Sequence, residues 1–186
     1  FFVFFHTYEV HDPYLAREPF YTEFAGRPFD PGYRDAVTRN APGKRDDRLR
    51  SVNRFALRDA QGGGLTEVPW NDAQVIADLY DSGVAYTDRL LGRLLDRLSA
   101  PDLRDTTLVI LTSDHGEALG EHELAGHTSL YDHDLLVPLV VALPGGEHRG
   151  SRVAAQVRSV DIPATILDVA GLPLPPGLDG RTLLPL

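Results

Sequence analysis

The apolar and polar positions change rhythm several times along the chain, and each rhythm predicts a different element. Phe1-Phe2-Val3-Phe4-Phe5 is a wholly apolar run. Such a run suits a central strand covered on both faces. The polar stretch His6–Tyr14 follows at once, which puts His6 and His11 at or just past that strand's end. From 15 to 69 the pattern dissolves. Pro19, Pro28, Pro31, Pro42 and Pro69 and the triplet Gly62-Gly63-Gly64 interrupt it. The segment therefore reads as a long irregular excursion, with a short helix over Asp46–Leu57 as an option.

Periodicity returns at Asn71–Leu98. Val75, Leu79, Leu90, Leu91, Leu94, Leu95 and Leu98 recur at helical spacing and predict an amphipathic helix. Asn71 suits its cap, Gln74 completes a capping box, and Trp70 with Val75 has the spacing of a hydrophobic staple. Gly83 interrupts the helix and predicts a bend or a close contact; Pro101 ends it. Thr106–Thr112 and Leu135–Leu143 read as buried strands, the second weakened by Pro138. Val153–Val160 reads as a short edge strand. Asp161 to Ala170 reads as a helix capped by Asp161 and closed by Gly171. This order predicts an α/β fold with a mostly parallel central sheet flanked by helices. Chemistry in such sheets gathers beyond the carboxyl ends of the strands.

Composition narrows the function. The 186 residues include no Cys and no Met, and 27 acidic against 18 basic residues give a net charge of −9. Without Cys there is no disulfide framework, thiolate metal site or cysteine nucleophile in this stretch. The acidic balance, with no basic patch, argues against nucleic acid as a partner. No apolar run approaches the roughly twenty residues of a membrane span. The chain opens without Met inside an apolar run, so we expect it to be a piece of a longer protein.

The densest chemical signal is Thr112-Ser113-Asp114-His115-Gly116-Glu117, directly after a strand. A carboxylate and an imidazole side by side there suit a borderline or hard divalent cation. The alternative is a turn whose Asp caps a following helix. His122, His127 and His133, with Glu117, Glu121, Glu123, Asp132 and Asp134, crowd the next residues and favour the metal. His122-Glu123-Leu124-Ala125-Gly126-His127 only mimics a zinc-protease helix: that motif needs i, i+4 spacing, and these two His stand at i, i+5. The second cluster is His6 to Tyr14. There Pro13 stiffens the loop that presents His11. His11 reads either as an active-site His that contacts an anionic substrate or as an incidental loop residue, and His6 as a structural one.

His11-Asp12-Pro13-Tyr14, Thr112 to Glu117, Gly126-His127-Thr128-Ser129-Leu130-Tyr131-Asp132, Val137-Pro138-Leu139, Pro144-Gly145, Val160 to Pro173 and Asp179-Gly180-Arg181 occur in the order seen in sulfatases. Over nearly its whole length the chain resembles the second half of the sulfatase branch of the alkaline phosphatase superfamily. The resemblance implies an alkaline-phosphatase-like α/β domain, incomplete here, with residues 1–186 as its C-terminal portion and 15–69 as an excursion within it. It implies metal-dependent hydrolysis of sulfate esters by the full-length protein.

The site residues follow from the resemblance. Asp114 and His115 would be metal ligands, with Ca2+ the expected ion and Mn2+ or Zn2+ as alternatives. His11 and His127 would bind the ester and assist catalysis, His127 standing where many sulfatases carry a Lys. The formylglycine nucleophile and two further Asp ligands are expected upstream; no nucleophile is assigned within these residues, so the 186 residues alone are expected to be inactive and to bind calcium weakly. The expected partner is an anionic small-molecule or carbohydrate sulfate ester, and the expected location is periplasmic, extracellular or membrane-anchored. Two other readings remain: a phosphodiesterase, phosphonate hydrolase or phosphotransferase of the same superfamily, to which His115 points, or a non-catalytic binding domain.

Overall fold

The computed structural model describes residues 1–12, 14–29, 54–58, 65–69 and 73–184. In chain order the elements are α1 (Phe20–Ala25), β1 (Arg54–Arg58), β2 (Leu65–Pro69), α2 (Ala73–Leu98), α3 (Pro101–Arg104), β3 (Val109–Thr112), β4 (Ala118–Leu119), β5 (Ala125–Gly126), α4 (Asp132–Leu135), β6 (Leu139–Ala142) and α5 (Asp161–Val169). The fold is α/β, as the sequence pattern predicts. The strands form three two-stranded ladders, and each described pairing is antiparallel where a mostly parallel sheet was expected. Two compact units divide the chain: Phe1–Leu95 with His115–Leu136, and Asp96–Asp114 with Val137–Leu186.

The first unit is organised by α2. Ile76, Leu79 and Ser82 recur at i, i+3 and i+6 and are fully buried, so one stripe of the helix faces inward. Tyr14 and Tyr21 complete the core with Ile76 and Leu79. Tyr14 meets Tyr80 edge-on at 6.1 Å, and Tyr21 meets Phe29 edge-on at 5.3 Å, the arrangement the ring quadrupole favours. Gly83 makes the predicted close contact: Glu9 and Val10 of the N-terminal loop lie against it. Ser82 Oγ donates to Leu79 O at 2.7 Å and accepts the Arg17 N–H at 3.3 Å. The Arg17 guanidinium bonds the Glu9 carboxylate and lies 4.5 Å over the Tyr86 ring. Residues 9–17, which carry His11, are thus fastened to α2 at both ends.

The second unit holds the β3–β6 ladder, in register from Val109 opposite Ala142 to Thr112 opposite Leu139. Pro138 explains why β6 starts at Leu139: it has no N–H to give the ladder, and its carbonyl instead accepts the Thr112 hydroxyl at 2.9 Å. In α5, Asp161, Ala164 and Thr165 are buried. The Asp161 carboxylate accepts the N–H groups of Arg158 at 2.9 Å and Arg181 at 3.0 Å. Thr165 Oγ1 donates to Asp161 O at 2.8 Å and accepts the Leu183 N–H at 3.0 Å. The C-terminal segment is latched to α5 by side chains of that helix.

Several expectations are corrected. Phe1–Phe5 forms no strand and is exposed, from 65% to 91% by residue; among the described residues no ladder partner lies beside it, and apolarity alone cannot hold a strand. Val153–Val160 is irregular. The excursion contains α1 and the β1–β2 hairpin, so positions 54–57 of the optional helix are strand; the remainder of that helix, with the expected cap Asn71, Trp70 and Pro13, lies outside the described residues. Asp161 lies inside α5 rather than at its cap, which is Val160. The apolar face of α2 is half exposed at Leu90, Leu94 and Leu95.

Candidate active site

Three histidines from three separate segments converge in the first unit. His11 comes from the loop fastened to α2, His115 from the turn before β4, and His127 from the residue after β5. The β4–β5 register pairs Ala118 with Gly126. One step outward along that antiparallel pair stand Glu117 and His127, which therefore face each other. The ring centroids lie 3.8 Å apart for His115–His127, 5.1 Å for His11–His127 and 6.1 Å for His11–His115. One nitrogen from each of the three falls within 4.8 Å of the others.

Each ring is held by its Nδ1. His11 Nδ1 lies 2.7 Å from Asp12 O, His115 Nδ1 lies 2.7 Å from Gly116 O, and His127 Nδ1 lies 3.0 Å from Glu117 Oε2. Carbonyl and carboxylate oxygens only accept, so each Nδ1 carries the proton and each neutral ring has its lone pair on Nε2. This second-atom anchoring is typical of imidazoles that serve a metal or a substrate through the other nitrogen.

Two residues that the sequence reading names only among a crowd of acids, without a role, complete the arrangement. The Glu117 side chain is only 6% exposed, and its Oε1 accepts the Tyr14 hydroxyl at 3.0 Å. Burial pushes the Tyr14 phenol well up, and the neighbouring Glu117 charge and hydrogen bond add to it. Asp134 is the second. Its carbonyl accepts the Gly116 N–H at 2.8 Å, and its Oδ2 accepts the Ser129 N–H at 2.7 Å. Burial alone would push the Asp134 carboxyl up; the Ser129 donors and the nearby imidazoles outweigh it and hold it below its usual range. Glu117 was visible as one of the acids after His115, whereas the partner Tyr14 stands 103 residues away.

The other residues named from the sequence have contacts of their own. Asp114 belongs to the second unit, where Ser113 Oγ lies 3.5 Å from its Oδ1. His6 stands between Phe4 and Tyr8 in a row of rings that reaches His11. His122 sits in a 3₁₀ turn at φ 53° and stacks on Tyr131 at 4.1 Å. No zinc-protease helix exists there.

The model of the sulfatase family matches residues 1–172. The chain belongs to the sulfatase family. Arylsulfatase K of Homo sapiens is 42% identical over 111 residues, covering 60% of this chain and 20% of the relative. A multifunctional alkaline phosphatase superfamily protein of Trinickia caryophylli is 30% identical over 185 residues, covering 96% of this chain and 35% of the relative. Among solved structures, a phosphonate monoester hydrolase from Silicibacter pomeroyi matches with a TM-score of 0.58 at 34% identity, over 61% of this chain and 22% of that one. This sulfatase-family chain thus spans about one-fifth to one-third of the length of these proteins.

Membership of the sulfatase family implies use of a divalent cation. The donors in the first unit suit one: the imidazoles of His11, His115 and His127 bring one nitrogen each within 4.8 Å of the others, with their Nδ1 atoms anchored.

Proposed function

We propose that this sulfatase-family chain supplies the leaving-group and anion-binding side of a hydrolase for sulfate esters. The observation that carries the reading is the convergence of His11, His115 and His127, one nitrogen of each within 4.8 Å of the others, with every Nδ1 tied down.

Asp114 and His115 would hold the divalent cation, which when bound would draw charge from the non-bridging oxygens of the ester. The chain's own side chains do the rest. His11 and His127 present Nε2 toward the ester. In protonated form either donates a hydrogen bond to an anionic oxygen, or a proton to the departing oxygen. The Nδ1 anchors keep both rings from swivelling, so the donors are in position before the ester arrives. No residue of this chain is assigned as nucleophile. A sulfate ester of a small molecule or carbohydrate suits a cluster open enough to leave His11 and His127 more than a quarter exposed. No helix among the described residues is long and apolar enough to cross a membrane. Membership of the sulfatase family fits a non-cytoplasmic location.

The second reading is hydrolysis of a phosphonate or phosphate monoester. It is favoured by His115 and by the likeness to a phosphonate monoester hydrolase. The deciding experiment is metal analysis and ester turnover with the protein purified from its own gene. Aryl sulfate, aryl phosphonate and aryl phosphate are compared before and after chelation. Sulfate turnover that needs a bound divalent cation, with the cation lost in Asp114→Ala and His115→Ala, supports the proposal. Preference for the phosphonate supports the second reading, and turnover of none of the three rejects both.

A further inference from the structure

His11 and His115 owe their orientation to main-chain carbonyls of the residues directly after them. No substitution can remove those acceptors without moving the chain. His127 is different. Its Nδ1 partner is a side chain, Glu117 Oε2 at 3.0 Å, and that side chain is itself held by a third residue, the Tyr14 hydroxyl at 3.0 Å from Oε1. The three come from places set by independent features of the fold. Tyr14 is part of the core with Ile76 and Leu79. Glu117 precedes β4, and His127 follows β5.

The hydrogen layout of this row is fixed by chemistry. A carboxylate has no proton to give, so both neighbours must donate to it. Tyr14 donates through its O–H and His127 through Nδ1–H, which leaves Nε2 as the working nitrogen of His127. Charge-assisted bonds in a nearly closed site are the stronger kind, and Glu117 is 6% exposed. Nothing in the core requires an acid at this place: Tyr14 could bond a neutral acceptor equally well. A carboxylate, which can only accept, leaves the ring nitrogen facing it no choice but to carry a proton.

We propose that Glu117, steadied by Tyr14, is the positioning residue of His127: it selects the Nδ1–H form of the ring and so aims Nε2 at the ester. The inference deepens the functional reading and rests on it for the role of His127, while the Glu117–His127–Tyr14 geometry stands by itself. Glu117 acts through His127 and is not assigned a contact with the ester.

The substitution Glu117→Gln inverts the layout. The Tyr14 hydroxyl keeps the amide oxygen, and the amide NH2 then faces His127 Nδ1, which must accept. In that orientation the ring takes its Nε2–H form; in the flipped one, with the NH2 donating to the Tyr14 oxygen, it keeps Nδ1–H on a neutral acceptor. Long-range 1H–15N correlation NMR reads the tautomer directly in the full chain labelled at His, at about pH 8.5, above the ordinary imidazole range. His127→Gln identifies the resonance. The expected result is Nδ1–H for His127 in the unmodified chain and a population of Nε2–H that appears only in Glu117→Gln. In the protein purified from its own gene, Glu117→Gln is expected to lower kcat/KM for the ester about 10–100-fold. The wild-type spectrum alone tests the proposal even if the variant fails to fold: an Nε2–H ring there overturns it, as does a kcat/KM in folded Glu117→Gln equal to that of the wild type. Absence of ester turnover would reject the functional reading and leave the NMR result to decide the role of Glu117.

Discussion

Gly116 donates its N–H to Asp134 O at 2.8 Å, and the place where a Cβ would stand on Gly116 is taken by the carbonyl oxygen of His133. The turn that carries His115 and Glu117 therefore lies flush against the segment that follows His127. Glycine is required here for space, and no left-handed φ is involved.

Gly83 provides the contrast. A Cβ on Gly83 would meet Glu9 O at 3.5 Å, an ordinary contact. Gly116→Ala is expected to cost about 3 kcal/mol through backbone overpacking and to separate His115 from His127. Gly83→Ala is expected to gain up to about 1 kcal/mol from helix propensity. Thermal unfolding of the two variants checks the pair. A stable Gly116→Ala or a destabilised Gly83→Ala would show that the two contacts are misread.

Alkaline pH tests Tyr14. Its folded pKa is raised, by burial first and Glu117 second, so the folded chain keeps a proton that the unfolded chain releases near pH 10. That contribution is fully present below about pH 10 and is lost as pH rises beyond it. Tyr14→Phe has no such proton, so its stability is expected to fall less steeply above pH 10 than that of the unmodified chain. Equal slopes in denaturant titrations at pH 9 to 11 would contradict the raised pKa of the buried Tyr14 phenol.

Acid tests the latch at α5. The backbone N–H groups of Arg181 and Arg158 hold the Asp161 carboxyl below its usual range. As pH falls, the unfolded chain takes up the proton first, near pH 4. The stabilisation is present above that value and lost as pH drops through the lowered folded pKa. Asp161→Asn is expected to melt several degrees lower at neutral pH, with the gap closing in acid. A pH-independent gap would mean that the carboxylate charge is irrelevant to the latch.

What the sequence discloses follows from how local each signal is. The apolar run Thr106–Thr112 contains β3, and the helical spacing from Val75 is α2, because both are written in consecutive residues. Pro138 marks where β6 can begin. The convergence of His11, His115 and His127 is approachable because each stands in a short motif, while their Nδ1 anchors are visible only in the folded chain. The Tyr14–Glu117 bond leaves no trace in the sequence, since it joins positions 103 residues apart. Phe1–Phe5 misleads for a related reason: apolarity states what a run would bury and says nothing of whether a neighbouring strand is there to cover it.

The most direct measurement for the whole reading is kcat/KM for an aryl sulfate, taken with the protein purified from its own gene and with its His127→Ala and His11→Ala forms. A divalent-cation-dependent activity that falls about 100-fold or more in each variant, with folding and metal content unchanged, is the expected result. Full activity in both variants would contradict the assignment of this histidine cluster to the ester.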